Sequence, residues 1–275
     1  MTNFDILINI YFSKKLNKDN IEFLTDYISK KSILFYNKEI ENLSFTSVEG
    51  KKRQNKTLKF NSQNLKKVYD SVLKDSLKGF DLFNLSNDWK YKSRDNDILF
   101  LYRSQDEWIE YSSVLLKFNG NFKNENLNIN NSIKNIVNEL LTYFKQELFD
   151  IKYGFVFSME RDKSPAFFAT GISSENLTKE EQEKAFLWGR SQHLCNEKVW
   201  DVFWGNIITS NHFKNGFSEN QLTDFFGEGN IINNEGLFYI CYLPYEIPLS
   251  SEVNNEVKSL GKKIRNKMND YKMII

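Results

Sequence analysis

The sequence predicts an α+β protein with a mixed, largely antiparallel sheet flanked by helices, as one body or as two lobes. Three observations carry that class. Period-two apolar runs and period-3.6 stripes interleave along the 275 residues without the steady βαβ rhythm of a parallel sheet. The 24 Phe and 13 Tyr supply enough aromatic surface for an ordered core. Nine of the 12 glycines and all three prolines fall after residue 150, so the second half turns more sharply than the first.

Taken in order, Phe4, Ile6, Ile8, Ile10 and Phe12 alternate along a strand with one buried face. Ile21, Leu24 and Ile28, with Phe23 and Tyr27 beside them, form a helical stripe. ILFYN (33–37) reads as a strand, and ENLSFTSVEGKKRQNKTLKF (41–60) as two strands joined at a glycine turn. Leu65, Val68, Tyr69, Val72, Leu73 and Leu77 predict a helix with Gly79 at its C-cap. WIEYSSVLLKF (108–118) is a further strand. The Asn-rich stretch 119–135 reads as a solvated connection into a helix marked by Ile133, Ile136, Val137, Leu140, Phe144 and Leu148.

In the second half, IKYGFVFSME (151–160) and SPAFFATGIS (164–173) predict strands, the latter ending at Gly171. Thr178 and Glu181 fit a capping box. A strand at 199–208, a short helix near 218–226 and the central strand GLFYICYLPYE follow, the last stopped by Pro244 and Pro248. The final helix starts near Ser251, with Glu252 and Glu256 early and Lys262, Lys263, Arg265 and Lys267 late, as its dipole favours. The chain divides into an N-terminal α+β lobe, 1–150, and a C-terminal α+β lobe, 151–275. Without a repeat or a Pro/Gly linker, two lobes sharing one sheet and two separate domains both remain open.

Composition narrows the function. A net charge of +1 gives no global reason to expect a nucleic-acid binder, and two Cys make no disulfide framework. The first 12 residues lack a basic region and carry Asp5 within the apolar run, unlike a signal peptide. No run approaches the roughly 20 apolar residues that span a bilayer. The expectation is a cytoplasmic protein with no membrane partner.

His193, Cys195, His212 and Cys241 offer zinc-type ligands, but their spacing matches no zinc knuckle, and Cys241 lies in an apolar run. Asp150 and Lys152 resemble part of a restriction-type nuclease site, which also needs a second acid, and none is persuasively placed. Gly227 and Gly229 are too few to cradle phosphate. No metal ligand, cofactor or catalytic residue is expected, and the chain reads as a non-enzyme.

Charge is segregated. Between 201 and 256 there are eight acids and one base; between 51 and 74, eight bases and one acid. Both runs fit solvated faces, the acidic one partly neutralised by the basic end of the last helix. On the functional reading the acidic run is a face that steers a basic partner, with Glu219, Asp224, Glu228 and Glu235 as its contact residues. The basic run lacks the interleaved aromatics of a stacking platform. In VWDVFWGNIITSNHF (199–213), Gly205 permits a bend at the end of a core strand, Asn206 can tie the turning backbone, and Ser210 or Asn211 can cap a following turn.

SPAFFATGISSENLTKEEQEKAFLWG, VWDVFWGNIITSNHF, a helix, a glycine turn and GLFYICYLP together resemble immunity protein family 52 of bacterial polymorphic toxin systems. The related type VI secretion immunity family is a neighbour. The likeness rests on Gly171-Ile172, Trp188 and Trp204-Gly205-Asn206, which look like scaffold motifs. It covers about the last 110 residues well and the first 150 loosely. The resemblance implies a non-catalytic α+β protein that binds and neutralises a co-encoded toxin, a nuclease of restriction type, inside the producing cell. It transfers no contact residue, because such families diverge at the binding surface. The alternative is a nucleic-acid binder or restriction-type nuclease using the basic 51–74 segment.

Overall fold

All nine residues of Phe4–Phe12 (β1) are buried, not one face alone. The reason is position: β1 pairs antiparallel with Ser112–Asn119 (β6) on one side and Ile151–Glu160 (β7) on the other, and both of its faces are covered. The computed structural model describes residues 4–84, 97–106, 109–161, 177–179, 181–183, 187, 192–199, 201–213 and 218–268. Its other strands are Asn42–Glu49 (β2), Lys52–Lys59 (β3), Leu77–Phe83 (β4), Ile98–Arg103 (β5), Gly205–Thr209 (β8), Ile231–Asn234 (β9) and Phe238–Tyr242 (β10). They form one ten-stranded sheet in the order β3-β2-β4-β5-β6-β1-β7-β8-β10-β9. Every pairing among the described residues is antiparallel. The sheet is an α+β assembly with strands from both sides of residue 150, joined along the β1–β7 ladder.

Helices Lys18–Tyr36 (α1), Ser62–Leu73 (α2) and Ile129–Gln146 (α3) each begin on an asparagine. Asn17, Asn61 and Asn128 accept the backbone N–H three residues on, at 2.8, 2.8 and 3.0 Å. The Asn enrichment therefore has a local role that composition hides. α1 and α3 lie side by side: the Phe23 and Tyr143 rings stack at 3.7 Å, and Asn20 Nδ2 donates to the Tyr143 hydroxyl at 2.9 Å. Phe12 of β1 meets Phe144 of α3 at 5.1 Å, which puts Ile6, Ile8, Ile10 and Phe12 under the helices.

The opposite face differs along its length. Over β7–β10 it is covered by Gln192–Asn196 (a 3-10 turn), Ser210–Phe213 (α4), Glu219–Phe226 (α5) and Ser251–Met268 (α6). Contacts there include Phe155 stacked on Phe203 at 4.7 Å and Tyr153 against His212 at 5.8 Å. Over β2–β5 the same face is partly exposed through Ser44, Thr46, Asp81, Leu101 and Arg103.

Several expectations change. Residues 33–37 are not a strand: α1 runs through Tyr36, buries Phe35 and Tyr36, and stops at Asn37 in the left-handed region (φ 53°). α2 ends at Leu73, with Asp75 left-handed (φ 51°), so Gly79 is not a C-cap. Gly79 lies in β4 opposite Thr46 and Arg103, where a Cβ would meet Arg103 Nη1 at 3.0 Å. Leu77, assigned to the helix, opens that strand. The strand expected at 199–208 begins only at Gly205. β4 and β5 were not anticipated, and β10 is one place in from the sheet's end. The strand expected at 164–173 lies outside the described residues.

Candidate partner-binding site

The acids singled out from sequence gather at the β9 end of the sheet. Ser218 starts α5, its backbone N–H donating to Gln221 Oε1 at 2.8 Å. Leu222 and Phe226 are buried and Phe225 is half-buried, so the helix turns its apolar side inward and leaves Glu219 and Asp224 exposed. Gly227, at φ 85°, ends the helix and leads to exposed Glu228. Among the described residues neither Asp224 nor Glu228 has an ion-pair partner. Glu219 is held to the neighbouring sheet: Asn233 Nδ2 donates to its Oε1 at 3.2 Å. Burial, reinforced by a hydrogen bond to Glu219, raises the Tyr239 hydroxyl to a pKa of about 12, so this phenol stays a donor.

Glu235 occupies the turn between β9 and β10, where Glu235 and Gly236 are both left-handed (φ 53° and 73°). Lys145 Nζ, from α3, fixes this turn by bonding Asn234 Oδ1 at 2.9 Å and Glu235 Oε2 at 2.7 Å. The Gly236 N–H donates to Asn233 Oδ1 at 2.8 Å. Beside these carboxylates Ile232 and Leu237 are 42% and 55% exposed, a pair that sequence reasoning missed. The signal was available: apolar residues flanking a tight turn at a strand end often remain outside the core.

The scaffold behind this end is dense. Trp204 is fully buried, its Nε1 donating to the Tyr245 carbonyl at 2.9 Å and its ring 5.0 Å from that of Tyr242. Lys134 of α3 lies over the Tyr242 ring at 4.8 Å. A Cβ on Gly205 would meet the Tyr242 ring at 3.0 Å and Val156 Cβ at 3.1 Å, so close approach fixes this glycine. Asn206 closes the preceding turn in both directions, accepting from the Phe203 N–H at 3.0 Å and donating to the Phe203 carbonyl at 2.8 Å. These bonds replace a ladder at Phe203, which is why the strand starts after it rather than at 199. Asp201, in the same non-strand segment, pairs with Arg265 of α6 at 3.1 Å. Gly171 and Trp188 lie outside the described residues. The capping box is formed, with the Thr178 N–H on Glu181 Oε2 at 2.8 Å and the Glu181 N–H on Thr178 Oγ1 at 3.2 Å.

Among the other chemical candidates, His212 has a structural role. His212 is buried; its Nδ1 accepts from the Thr209 N–H at 3.1 Å, and Nε2 donates to the Cys195 carbonyl at 3.0 Å. Burial lowers its pKa to about 4, so the ring is neutral and pins the 3-10 turn to β8. Burial pushes the Cys195 and Cys241 thiols well above their ordinary range, and His193 is exposed. Among the described residues no group of three or more His, Cys, Asp and Glu is placed to hold a metal ion. Asp150 and Lys152 pair with each other at 2.6 Å, with the Asp150 side chain exposed. Another buried cluster escaped the sequence reading: Asp5 meets Lys117 at 3.2 Å and Arg161 at 3.4 Å, joining β1, β6 and the end of β7. No described helix is long and apolar enough to cross a membrane.

The basic segment occupies the opposite end of the sheet. Lys51, Lys52, Arg53, Lys56 and Lys59, on or beside β3, are exposed, as are Lys66, Lys67 and Lys74 on or just after α2. The half-buried aromatics described there are Phe60 and Tyr69, and Lys18 lies over the Tyr69 ring at 5.4 Å.

No family model and no curated protein matches this sequence. A solved structure, the Pseudomonas aeruginosa T6SS protein PA0821, has a similar fold: TM-score 0.56 at 11% identity, over 98% of this chain and 73% of that one. At that identity the likeness speaks for the fold.

Proposed function

We propose that this protein is an immunity-type binder that neutralises a co-encoded toxin, a nuclease, by covering its basic substrate surface with the acidic β9 end of the sheet. The reading rests on one observation above all: among the described residues Asp224 and Glu228 are exposed carboxylates without ion-pair partners, on the segment that leads into β9, where Ile232 and, after the turn, Leu237 are exposed as well. Nuclease surfaces seek phosphate and are basic, so such a face attracts them and competes with nucleic acid. The sequence resemblance to immunity family 52 and the T6SS setting of the structural neighbour point the same way. In this reading the protein has no catalytic step, takes no cofactor, and acts in the cytoplasm of the producing cell.

The test is kinetic. Glu219, Asp224 and Glu228 are changed together to Lys, and association with the product of the adjacent toxin-like reading frame is followed at low and high salt. Association slows by roughly tenfold or more at low salt and much less at high salt. Equal rates for the two proteins at both salts overturn the reading. The alternative, a nucleic-acid binder using residues 51–74, has the exposed cations of β3 in its favour; tight, salt-dependent binding of DNA or RNA lost on removing those lysines would establish it instead.

A further inference from the structure

The ten-stranded sheet ends in β3 and β9, and no other described strand pairs with the outer edge of either. Unpaired edges invite strand addition, and proteins protect them with charge, proline or bulges. β3 is protected: Lys52, Arg53, Lys56 and Lys59 lie within its eight residues, and all four are exposed. β9 is not. Its sequence, Ile231-Ile232-Asn233-Asn234, holds no charge and no proline, and its register with β10 is unbroken. Its conformation is nevertheless fixed, by the Asn233–Gly236 bond and by Lys145 on Asn234 and Glu235.

We infer that β9 is a docking edge. An extended segment of the partner, carrying alternating apolar and basic side chains, continues the sheet beyond β9 by backbone hydrogen bonds. This rests on the proposed function and specifies how the partner is held. Ile232 offers the apolar contact. The carboxylates take the Lys or Arg side chains: Glu235 follows β9 directly, Glu219 is bonded to it through Asn233, and Asp224 lies on α5, which packs against it. The same acids argue against a second copy as occupant. Joining two β9 edges would bring like charges together, which is unfavourable across adjacent strands. Backbone pairing supplies affinity while alternate side chains supply specificity.

Amide hydrogen exchange tests this, using the adjacent reading frame's product with its activity abolished by mutation. In the complex, exchange at residues 231–234 should slow at least tenfold. Ile232→Lys, which gives β9 the kind of guard that β3 has, should weaken binding tenfold or more at an unchanged melting temperature, and Ile232→Val should leave binding near wild type. If the complex forms with 231–234 exchanging as in the free protein and Ile232→Lys binding normally, strand addition is wrong while the acidic-face reading survives. If no complex forms, both fail. If protection of 231–234 instead rises with concentration of this chain alone, the occupant is a second copy and the inference is overturned.

Discussion

At one end of the sheet β3 stands exposed along nearly its whole length, bordered among the described strands by β2 alone and lined with cations. At the other, β9 is half as long and uncharged, packed by α5 and fixed at its turn by Lys145, and its neighbours β10 and β8 are anchored by the packed pair Tyr242 and Trp204. The two ends solve the same problem, an edge that no other described strand pairs with, by different means. β3 carries cations along its exposed length, a kind of charge that discourages edge pairing, and contributes little to the core. The β9 end is neutral along its edge, supported from behind, and acidic around it. The difference teaches that net charge is a poor guide to this molecule: the +1 total conceals opposite charges placed at the two ends of one sheet.

The largest effect should follow from removing the support. Trp204→Ala deletes a fully buried ring and should cost about 3–5 kcal/mol, read by chemical denaturation. A variant with unchanged stability would mean that the β9 end is no better supported than β3, and would break the comparison.

Acid should act next, through His212 at the supported end. The folded pKa of His212, about 4, lies below the ordinary 6.5, so folding favours the neutral ring. Its contribution is complete above about pH 6.5 and is lost as pH falls toward 4, in total about 3 kcal/mol. His212→Gln should therefore lose less stability than wild type between pH 7 and 4.5 in parallel denaturant titrations. Identical losses would show that acid acts through other groups.

Gly205→Ala sharpens the packing side of the contrast. The added methyl must displace the Tyr242 ring or Val156, at about 1–3 kcal/mol. Thermal melting reads this directly, and an unaltered melting temperature would show slack where the structure has close contact.

The smallest thermodynamic effect belongs to β3. Replacing Lys52 and Lys56 by Thr should change stability by about 0.5 kcal/mol or less each. Self-association in sedimentation runs should nevertheless rise, because the edge loses its guard. A monomer unaffected by both changes would mean that those lysines do not protect the edge.

The sequence by itself determined the elements whose pattern is long and local. β1, α3, β7 and α6 declare themselves by period because each has apolar positions repeating over two turns or more, or along a full strand. The hairpin turn at Gly50 and the acidic cluster of the second half were legible for the same reason: turn residues and charges are local facts. Short apolar runs were not legible. ILFYN satisfies a strand pattern and a helix end alike, and only packing of Phe35 on Phe118 at 5.3 Å decides for the helix. Gly79 satisfies a C-cap and a close strand approach alike, and only its neighbours across the sheet choose. The same holds for the site. The sequence named Glu219, Asp224, Glu228 and Glu235 because charge is visible residue by residue. That these acids surround an unguarded edge, with Ile232 and Leu237 left outside the core, depends on strand order, which pairs residues far apart in the chain and leaves no mark on any single stretch.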